Sequence, residues 1–199
     1  FVRDYKYLER AASPLCSTDT YLVSYPKSGS VWLNFLLANV SVIKENPNNS
    51  VTFFNIHQYI PDIDVQNKFG STLLSFPGFR IIKSHSDINP LYRQVIFLVR
   101  DPRSVMVSYY NYLRNFHAFD STFSEFIRDS RFGIATWVSH TNGWLKCSGP
   151  DCGFCIIKYE ELKLNPVFAL EKLYSNFGFS VDKKVLEMAV SRSSFDNMK

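Results

Sequence analysis

Three short apolar runs of this chain end in polar residues whose types suit the binding of a small polyanion. The first is followed by PKSGS at 26–30, in which Lys27 precedes serine and glycine residues and an apolar-periodic segment. A tight loop that opens a helix offers an anion backbone N–H groups and the positive end of the helix dipole. The spacing differs from GxxxxGK[ST], so the loop is not that of nucleotide triphosphatases. By itself the motif is equally compatible with a turn that carries a solvated lysine.

The second run ends in KSH and the third in VRDPRSVMVSYY. Lys83 and His85 are two residues apart, so both project from one face if the strand persists to His85. A histidine beside a cationic anion site can act as a general base near neutral pH. Arg100 closes the third run and can hold a phosphate through two parallel hydrogen bonds, with a surface Arg–Asp pair as the alternative. Ser108 follows about two helical turns into the next helix.

The periodicity of apolar residues predicts elements that would bring these polar segments together. Nearly continuous apolar runs are typical of strands covered on both faces. They lie at 20–25, 79–85, 94–100 and 154–160. Helices are predicted at 30–44, 102–116, 122–130, 134–146, 166–177 and 181–192. This alternation favours an α/β fold with an open, mostly parallel sheet and helices on both faces, whose ligands bind at the carboxyl ends of the strands.

Proline and glycine positions indicate where helices begin and end, and composition limits the domain count and the possible partners. Pro102 and Pro166 suit first turns of helices, and Gly178 suits a helix stop. No linker or repeat divides the 199 residues, so we expect one domain over 1–199, with the irregular region 45–78 covering a sheet edge or a substrate mouth. The net charge of +4 is small and dispersed, which indicates no nucleic-acid partner. No apolar run approaches the roughly 20 residues of a membrane span and no signal peptide is apparent, so we expect a cytoplasmic protein.

The cysteines leave several interpretations open. Cys147, Cys152 and Cys155 form C-x4-C-x2-C, a spacing shared with plant-type iron–sulfur sites, and a zinc site or a disulfide between neighbours would also use it. Cys155 begins an apolar run, where a thiol usually behaves as a small buried hydrophobe. We expect reduced thiols and no bound metal, and the sequence does not assign these cysteines a role.

Taken together, the strand ends resemble the sulfotransferase family, which transfers a sulfuryl group from 3′-phosphoadenosine 5′-phosphosulfate. YPKSGSVW resembles the family's loop for the 5′-phosphosulfate, RDPRSVMVSYY its segment for the 3′-phosphate, and KSH the site of its catalytic histidine. KYEELKLNP at 158–166 and SSFDNMK at 193–199 follow in the family's order. The resemblance runs from about Tyr21 to Lys199, and five motifs in order are specific. It implies a loop like that of P-loop kinases, here built for a phosphosulfate.

The resemblance also implies catalytic roles. His85 would take the proton from the acceptor hydroxyl, Lys27 would stabilise charge on the leaving phosphate, and Lys83 would lie close to the transferring group. Sulfuryl transfer should resemble phosphoryl transfer in its loose, in-line transition state, so positioning and fixed charges do most of the work. We therefore expect these cations to replace a metal ion.

The implied donor contacts cover all of these segments. Trp32 would stack on adenine, on which Phe195 would also pack, and Arg100 and Ser108 would hold the 3′-phosphate. The implied cofactor-binding residues are Lys27, Ser28, Gly29, Ser30, Val31, Trp32, Arg100, Ser108, Tyr159, Ser193 and Phe195.

Three features depart from the family pattern. Val31 stands where the family usually has a hydroxyl residue, and the cysteine-rich stretch 147–155 has no counterpart. The sequence also stops before the later Arg-Lys-Gly segment with which the family clamps the 3′-phosphate, and it does not show whether the protein carries that segment. The alternatives are therefore a catalytically weak module that binds adenosine 3′,5′-bisphosphate or its sulfated form, and a nucleotide kinase of related fold. The absence of a Walker-type loop and of Mg²⁺-binding carboxylates counts against the kinase.

The sequence does not identify the acceptor substrate. Aromatic-rich stretches 53–69 and 109–123 are expected to line its pocket, which suits a phenol, a lipid or a sugar that offers a hydroxyl or an amine. His57 and His117 are interpreted as structural or surface residues, and His140 as a packing or acceptor-side residue. The oligomeric state does not follow from the sequence.

Overall fold

A parallel β-sheet forms the centre of the structure, a computed structural model that describes residues 19–63, 80–146 and 153–198. The strands are β1 Thr20–Ser24, β2 Ile81–Ser84, β3 Gln94–Val99 and β4 Gly153–Lys158. The helices are α1 Ser30–Glu45, α2 Ile56–Tyr59, α3 Pro102–Phe116, α4 Phe123–Arg128, α5 Ile134–Lys146, α6 Tyr159–Leu164, α7 Pro166–Asn176 and α8 Lys183–Arg192.

The four strands are all parallel and occur in the order β2-β1-β3-β4. Val23 of β1 pairs in register with Ser84 of β2, and Val99 of β3 pairs with Lys158 of β4. The carboxyl ends of the strands therefore lie at the same end of the sheet, as the predicted α/β fold requires. The segments that follow these strands meet there.

Both faces of the sheet are covered by helices, as predicted. On one face Leu22, Ile96 and Ile157 pack into a core with residues of α1, α7 and α8. On the other face Val23 and Phe97 belong to a core that includes Trp144 of α5. Each such side chain stabilises the fold by roughly 1.5–3 kcal/mol when fully buried. The two cores hold the strand ends in fixed relative positions.

β4 and the residue after it differ from the prediction. β4 lies at the border of the sheet, and its Ile156 is 39% exposed, so the expectation that this strand is covered on both faces was wrong. The strand also ends at Lys158 rather than 160. Tyr159 opens α6 instead, a short helix with Glu160 and Glu161 in its first turn, where negative charge favours helix formation.

The predicted helix boundaries are confirmed where their signals are strongest. Pro102 and Pro166 occupy first turns behind Asp101 and Asn165, whose side chains accept hydrogen bonds from backbone N–H groups of α3 and α7. Gly178 has φ 78° and follows α7. Across the described part of the chain, no helix has the length and apolar character that crossing a membrane requires.

Candidate active site at the carboxyl ends of the strands

The turn between β1 and α1 has a backbone shape suited to an anion. Lys27 has φ 68° and Gly29 has φ 100°, both in the left-handed region. A Cβ atom on Gly29 would lie 2.5 Å from two carbons of the Tyr159 ring, so only glycine fits. α1 then begins at Ser30 with no side-chain cap and no acidic residue in its first turn. The positive end of its dipole therefore remains available to a ligand.

Ser28 lies at the centre of this turn. The residue is 1% exposed, its backbone N–H donates to the carbonyl oxygen of Tyr25 at 3.2 Å, and its Oγ has no hydrogen-bond partner among the described residues. Buried hydroxyl groups are nearly always hydrogen-bonded, so an orphaned one calls for an explanation. An anion seated in the turn would supply the missing acceptor.

A cleft of about 660 Å³, termed the Lys27 cleft, opens beside the turn. It is lined by Pro26, Lys27, Gly29, Ser30, Val31, Trp32, Phe53, Asp62, Lys83, His85, Arg100, Ser108, Tyr109, Tyr112, Tyr159, Phe195 and Met198. All the site residues predicted from the sequence are among them, except Ser28 and Ser193. The structure therefore brings segments from five separate parts of the chain to one ligand-sized space.

The cations of the Lys27 cleft are held by neighbouring rings and carbonyls. The Arg100 guanidinium lies 4.3 Å from the centroid of the Tyr159 ring and donates to the carbonyl oxygen of Lys27 at 3.3 Å. The Lys27 Nζ lies 4.3 Å from the centroid of the Tyr112 ring. Burial, followed by the nearby charge of Lys83, lowers the pKa of Lys27. An anion in the cleft would offset both effects.

Lys83 is paired with a carboxylate that the sequence did not single out. Its Nζ lies 2.5 Å from Oδ2 of Asp62, and both side chains are largely buried. The backbone of Asp62 forms an isolated bridge with Lys83, which places the carboxylate beside β2. Arg100 forms no such pair with Asp101, because Asp101 pairs with Arg103 instead. Among the described residues Arg100 therefore forms no surface pair with an aspartate.

His85 follows β2 directly and has a defined tautomer. Its Nδ1 lies 2.7 Å from the carbonyl oxygen of Ser24, which can only accept, so Nδ1 carries the proton and Nε2 is left as the basic nitrogen. Burial and then the charge of Lys83 lower the pKa of His85 to about 4. The ring is therefore neutral near pH 7, as a base must be before it takes a proton.

The far side of the cleft is formed by the rings of Trp32 and Phe195, termed the aromatic wall, and hydrogen bonds connect it to α1. Trp32 Nε1 donates to the carbonyl oxygen of Ser193 at 3.0 Å, and its ring lies 6.0 Å from that of Phe195 with an interplanar angle of 26°. Ser193 is fully buried, and its Oγ accepts from Nδ2 of Asn39 at 3.0 Å. Phe195 is 68% exposed, which leaves a ring face open to a flat ligand.

A second cavity, termed the His140 cavity, adjoins the first and has a volume of about 580 Å³. It is lined by Tyr25, Pro26, His85, Ser86, Asp87, Ile88, Asn89, Pro90, Leu91, Tyr109, Arg131, Thr136 and His140. His85 and Tyr109 line both spaces. A group in the His140 cavity can therefore approach the same imidazole that faces the Lys27 cleft.

The structure also locates the aromatic and histidine residues that the sequence left without a defined role, and it adds Asn39, which the sequence did not indicate. Tyr109 and Tyr112 come from the aromatic stretch expected to line an acceptor pocket, although Tyr112 lines the Lys27 cleft only. Asn39 is a buried helix residue with no pattern to distinguish it. His57 and His117 line neither space, and their interpretation as structural or surface residues stays a prediction.

Of the cysteines in the C-x4-C-x2-C stretch, only one belongs to the described residues. Cys155 is buried in β4, and burial raises the pKa of its thiol to about 11, so it packs as a hydrophobe. Cys147 and Cys152 lie outside the described residues. In the ranges 19–63, 80–146 and 153–198, no group of three or more His, Cys, Asp or Glu side chains is arranged to hold a metal ion.

Known sulfotransferase sequences align with almost the whole chain. Human sulfotransferase 4A1 is 28% identical over 194 residues, which cover 92% of this chain and 67% of the relative. Mouse sulfotransferase 2A6 is 28% identical over 200 residues, covering 91% of this chain and 66% of the relative. Human sulfotransferase 2B1 is 28% identical as well, with 52% of its length covered. The chain thus spans half to two thirds of the length of these relatives.

Solved structures show the same fold. The crystal structure of mouse sulfotransferase SULT7A1 complexed with PAP aligns with a TM-score of 0.67 and 24% identity, covering 98% of this chain and 70% of that one. A crystal structure of retinol dehydratase in a complex with retinol and PAP aligns with a TM-score of 0.65 and 18% identity, covering 96% and 70%. The family model of the sulfotransferase domain matches residues 17–199. The chain belongs to the sulfotransferase family.

Proposed function

We propose that this chain transfers a sulfuryl group from 3′-phosphoadenosine 5′-phosphosulfate to a hydroxyl or amine of a small acceptor. The observation that carries the proposal is the Lys27 cleft, where Lys27, Lys83, Arg100 and His85 surround the N-terminus of α1. Family membership supports it, as do two related folds whose structures were solved with PAP, which is adenosine 3′,5′-bisphosphate. Fixed cations and an open helix N-terminus are what a bisphosphate requires.

The donor would lie along the cleft with its phosphosulfate in the β1–α1 turn. Lys27 and the orphaned hydroxyl of Ser28 would bind the 5′ end, and Gly29 and Ser30 would add backbone N–H groups. Val31 lines this part of the cleft, is 48% exposed and offers only its backbone. This substitution weakens the site without removing it, and it is the feature that favours a weakly catalytic binding module as the alternative.

The nucleoside end of the donor would use the aromatic wall and the start of α3. Trp32 and Phe195 would sandwich or flank adenine, a π surface that stacking side chains bind well. Arg100 and Ser108, both in the cleft, would hold the 3′-phosphate. Tyr159 lies under Arg100 and against Gly29, so its main contribution would be to position both. The buried Ser193 would act indirectly, because its carbonyl oxygen accepts the hydrogen bond that orients Trp32.

The transfer step uses the tautomer of His85. As the acceptor oxygen forms its bond to sulfur, its proton passes to Nε2 of His85, while the bond between sulfur and the bridging oxygen breaks. The leaving bisphosphate gains negative charge, which the ammonium group of Lys27 stabilises. Lys83 would contact the sulfuryl oxygens while it keeps its ion pair with Asp62, and its charge would stabilise them. The acceptor would occupy the His140 cavity, which reaches the same imidazole.

Two further expectations belong to the proposal. The fixed charges of Lys27, Lys83 and Arg100 would replace a divalent ion, in contrast to a kinase, whose Mg²⁺ bridges the phosphates. We also propose a cytoplasmic location, because the motifs of this sequence resemble those of the cytosolic type of sulfotransferase domain.

Thermal unfolding tests the donor assignment. Adenosine 3′,5′-bisphosphate should raise Tm well above the value with 5′-AMP or with ATP and Mg²⁺, because a ligand that binds only the folded state stabilises it. Arg100→Ala should remove most of the difference between the bisphosphate and 5′-AMP. Arg103→Ala is the matched control, since that arginine lies only three positions later, in the first turn of α3, but 89% of its side chain is exposed and it does not line the cleft. Equal shifts for the bisphosphate and 5′-AMP would contradict a 3′-phosphate site.

A further inference from the structure

The His140 cavity contains an imidazole that the transfer step does not use. His140 is 4% exposed, and neither ring nitrogen makes a hydrogen bond of normal geometry within the described residues. Its ring packs edge-on against Tyr25, with centroids 5.6 Å apart, so its orientation is fixed by packing. Burial lowers the pKa of His140, against the opposing effects of Asp87 and of the Ser86 backbone. The ring is therefore neutral and has one nitrogen that can only accept.

Three other polar side chains of the cavity, those of Tyr25, Thr136 and Arg131, are bonded within the protein. The Tyr25 hydroxyl donates to the carbonyl oxygen of Phe132 at 2.9 Å and contacts the Thr136 hydroxyl at 2.6 Å. The Arg131 guanidinium makes two hydrogen bonds to the Asp129 carboxylate, at 2.8 and 3.2 Å. The Arg131 guanidinium keeps further N–H donors, but its charge is balanced by Asp129, so these groups shape the cavity without giving it a net charge.

Asp87 is the exception. It is exposed, lines the cavity and forms no ion pair within the described residues. The carboxylate lines the same cavity as Tyr25 and His140; burial is the main cause that raises the pKa of Tyr25 and lowers that of His140, and the charge of Asp87 adds to the first effect and opposes the second. Because the charge of Arg131 is balanced by Asp129, Asp87 gives the cavity a net negative charge. A carboxylate and a neutral imidazole nitrogen both require hydrogen-bond donors from a ligand.

We propose that the His140 cavity selects acceptors that carry a protonated amine together with the hydroxyl to be sulfated, and that Asp87 binds the amine. The inference deepens the proposed function and rests on it. The aromatic rings of Tyr25 and Tyr109 in the same cavity favour a cation beside the carboxylate, since ring faces attract positive charge. Asp87 lies only two positions after His85, with Ser86 between them, so the ligand is short: an aromatic amino-alcohol or an aminoalkyl phenol.

Two phenols that differ by one ammonium group test this inference. Tyramine and 4-ethylphenol present the same hydroxyl, but only tyramine carries an ammonium group. With 3′-phosphoadenosine 5′-phosphosulfate as donor, kcat/KM should be higher for tyramine, and the ratio of the two values should fall by roughly 10- to 100-fold in Asp87→Asn, mainly through KM. This is the usual worth of a charge-assisted hydrogen bond. The control is Glu187, an exposed carboxylate on α8: the variant Glu187→Gln should keep the original ratio of kcat/KM values.

A binding titration separates failure of this inference from failure of the proposed function. Tyramine is titrated into protein saturated with adenosine 3′,5′-bisphosphate, so that no turnover is needed. Weaker tyramine binding in Asp87→Asn than in Glu187→Gln supports the inference even if neither phenol is sulfated, in which case only the transfer activity is contradicted. Equal tyramine affinity in the two variants, or an unchanged kcat/KM ratio in Asp87→Asn, overturns the inference and leaves the donor site intact.

Discussion

The Lys27 cleft and the His140 cavity meet at His85, yet the protein builds them in different ways. The Lys27 cleft takes its charges from residues at or just beyond the ends of β1, β2 and β3, whose positions the parallel sheet determines. The His140 cavity is lined largely by the loop 86–91 and by side chains of α3 and α5. One site depends on backbone geometry, and the other depends on which side chains a loop and two helices carry.

This difference separates donor recognition from acceptor recognition. A phosphosulfate bound by a helix N-terminus and strand-end cations tolerates little variation, because Gly29 has no space for a side chain and Lys27 requires a left-handed backbone. The His140 cavity can change its ligand through single substitutions, such as at Asp87, without disturbing the sheet. Variants in the two sites should therefore have separable effects.

The largest expected effect is that of His85→Ala, at the junction of the two sites. Turnover should fall by about 10²- to 10⁴-fold, the usual worth of a positioned general base, while the affinity for adenosine 3′,5′-bisphosphate remains nearly unchanged. The measurements are kcat with a working acceptor and the bisphosphate Kd. Full activity in this variant would remove His85 as the base, and a parallel loss of bisphosphate binding would make it part of the donor site instead.

The pH profile provides the companion control. In the folded protein burial lowers the pKa of His85 to about 4, so the neutral ring persists far below its ordinary value of 6.5. The acidic limb of kcat/KM should accordingly lie well below pH 6.5. The unfolded chain binds more protons at this residue between those pH values, so the contribution of His85 to stability falls as pH is lowered from about 6.5 towards 4. An acidic limb near 6.5 would contradict a buried base.

A smaller effect is expected from Asn39→Ala, behind the aromatic wall of the Lys27 cleft. The variant leaves the buried Ser193 hydroxyl without its donor, which should lower the free energy of unfolding by about 1–3 kcal/mol. Bisphosphate affinity should fall modestly, because Ser193 also orients Trp32. Ser41→Ala is the control, since that buried hydroxyl donates to the carbonyl oxygen of Leu37 within α1 and has no other partner among the described residues. Equal loss of bisphosphate affinity in both variants would refute a specific link.

The fold and the Lys27 cleft were largely predictable because their signals are local. Buried strands read as apolar runs, Pro102 and Pro166 mark helix starts, and cations placed after strands must meet at one end of a parallel sheet. α6 was missed because YEELKL follows a strand without a turn residue, and the exposure of Ile156 follows from the strand order, which a single sequence does not encode.

The partners of the predicted residues were not predictable. Asp62 reaches Lys83 through an isolated bridge beside β2, and Asn39 reaches Ser193 from 154 positions away. Neither contact leaves a periodic signal. His140 could be interpreted only as packing or acceptor-side, because whether a buried imidazole finds a partner depends on the tertiary structure around it.

A crystal structure with adenosine 3′,5′-bisphosphate tests the central claim most directly. The account predicts the 5′-phosphate in the β1–α1 turn, within hydrogen-bond distance of Lys27 and the Ser28 hydroxyl. It predicts the 3′-phosphate at Arg100 and the adenine ring against Trp32 and Phe195. A bisphosphate bound outside the Lys27 cleft, or bound with the Ser28 hydroxyl still unpartnered, would contradict it.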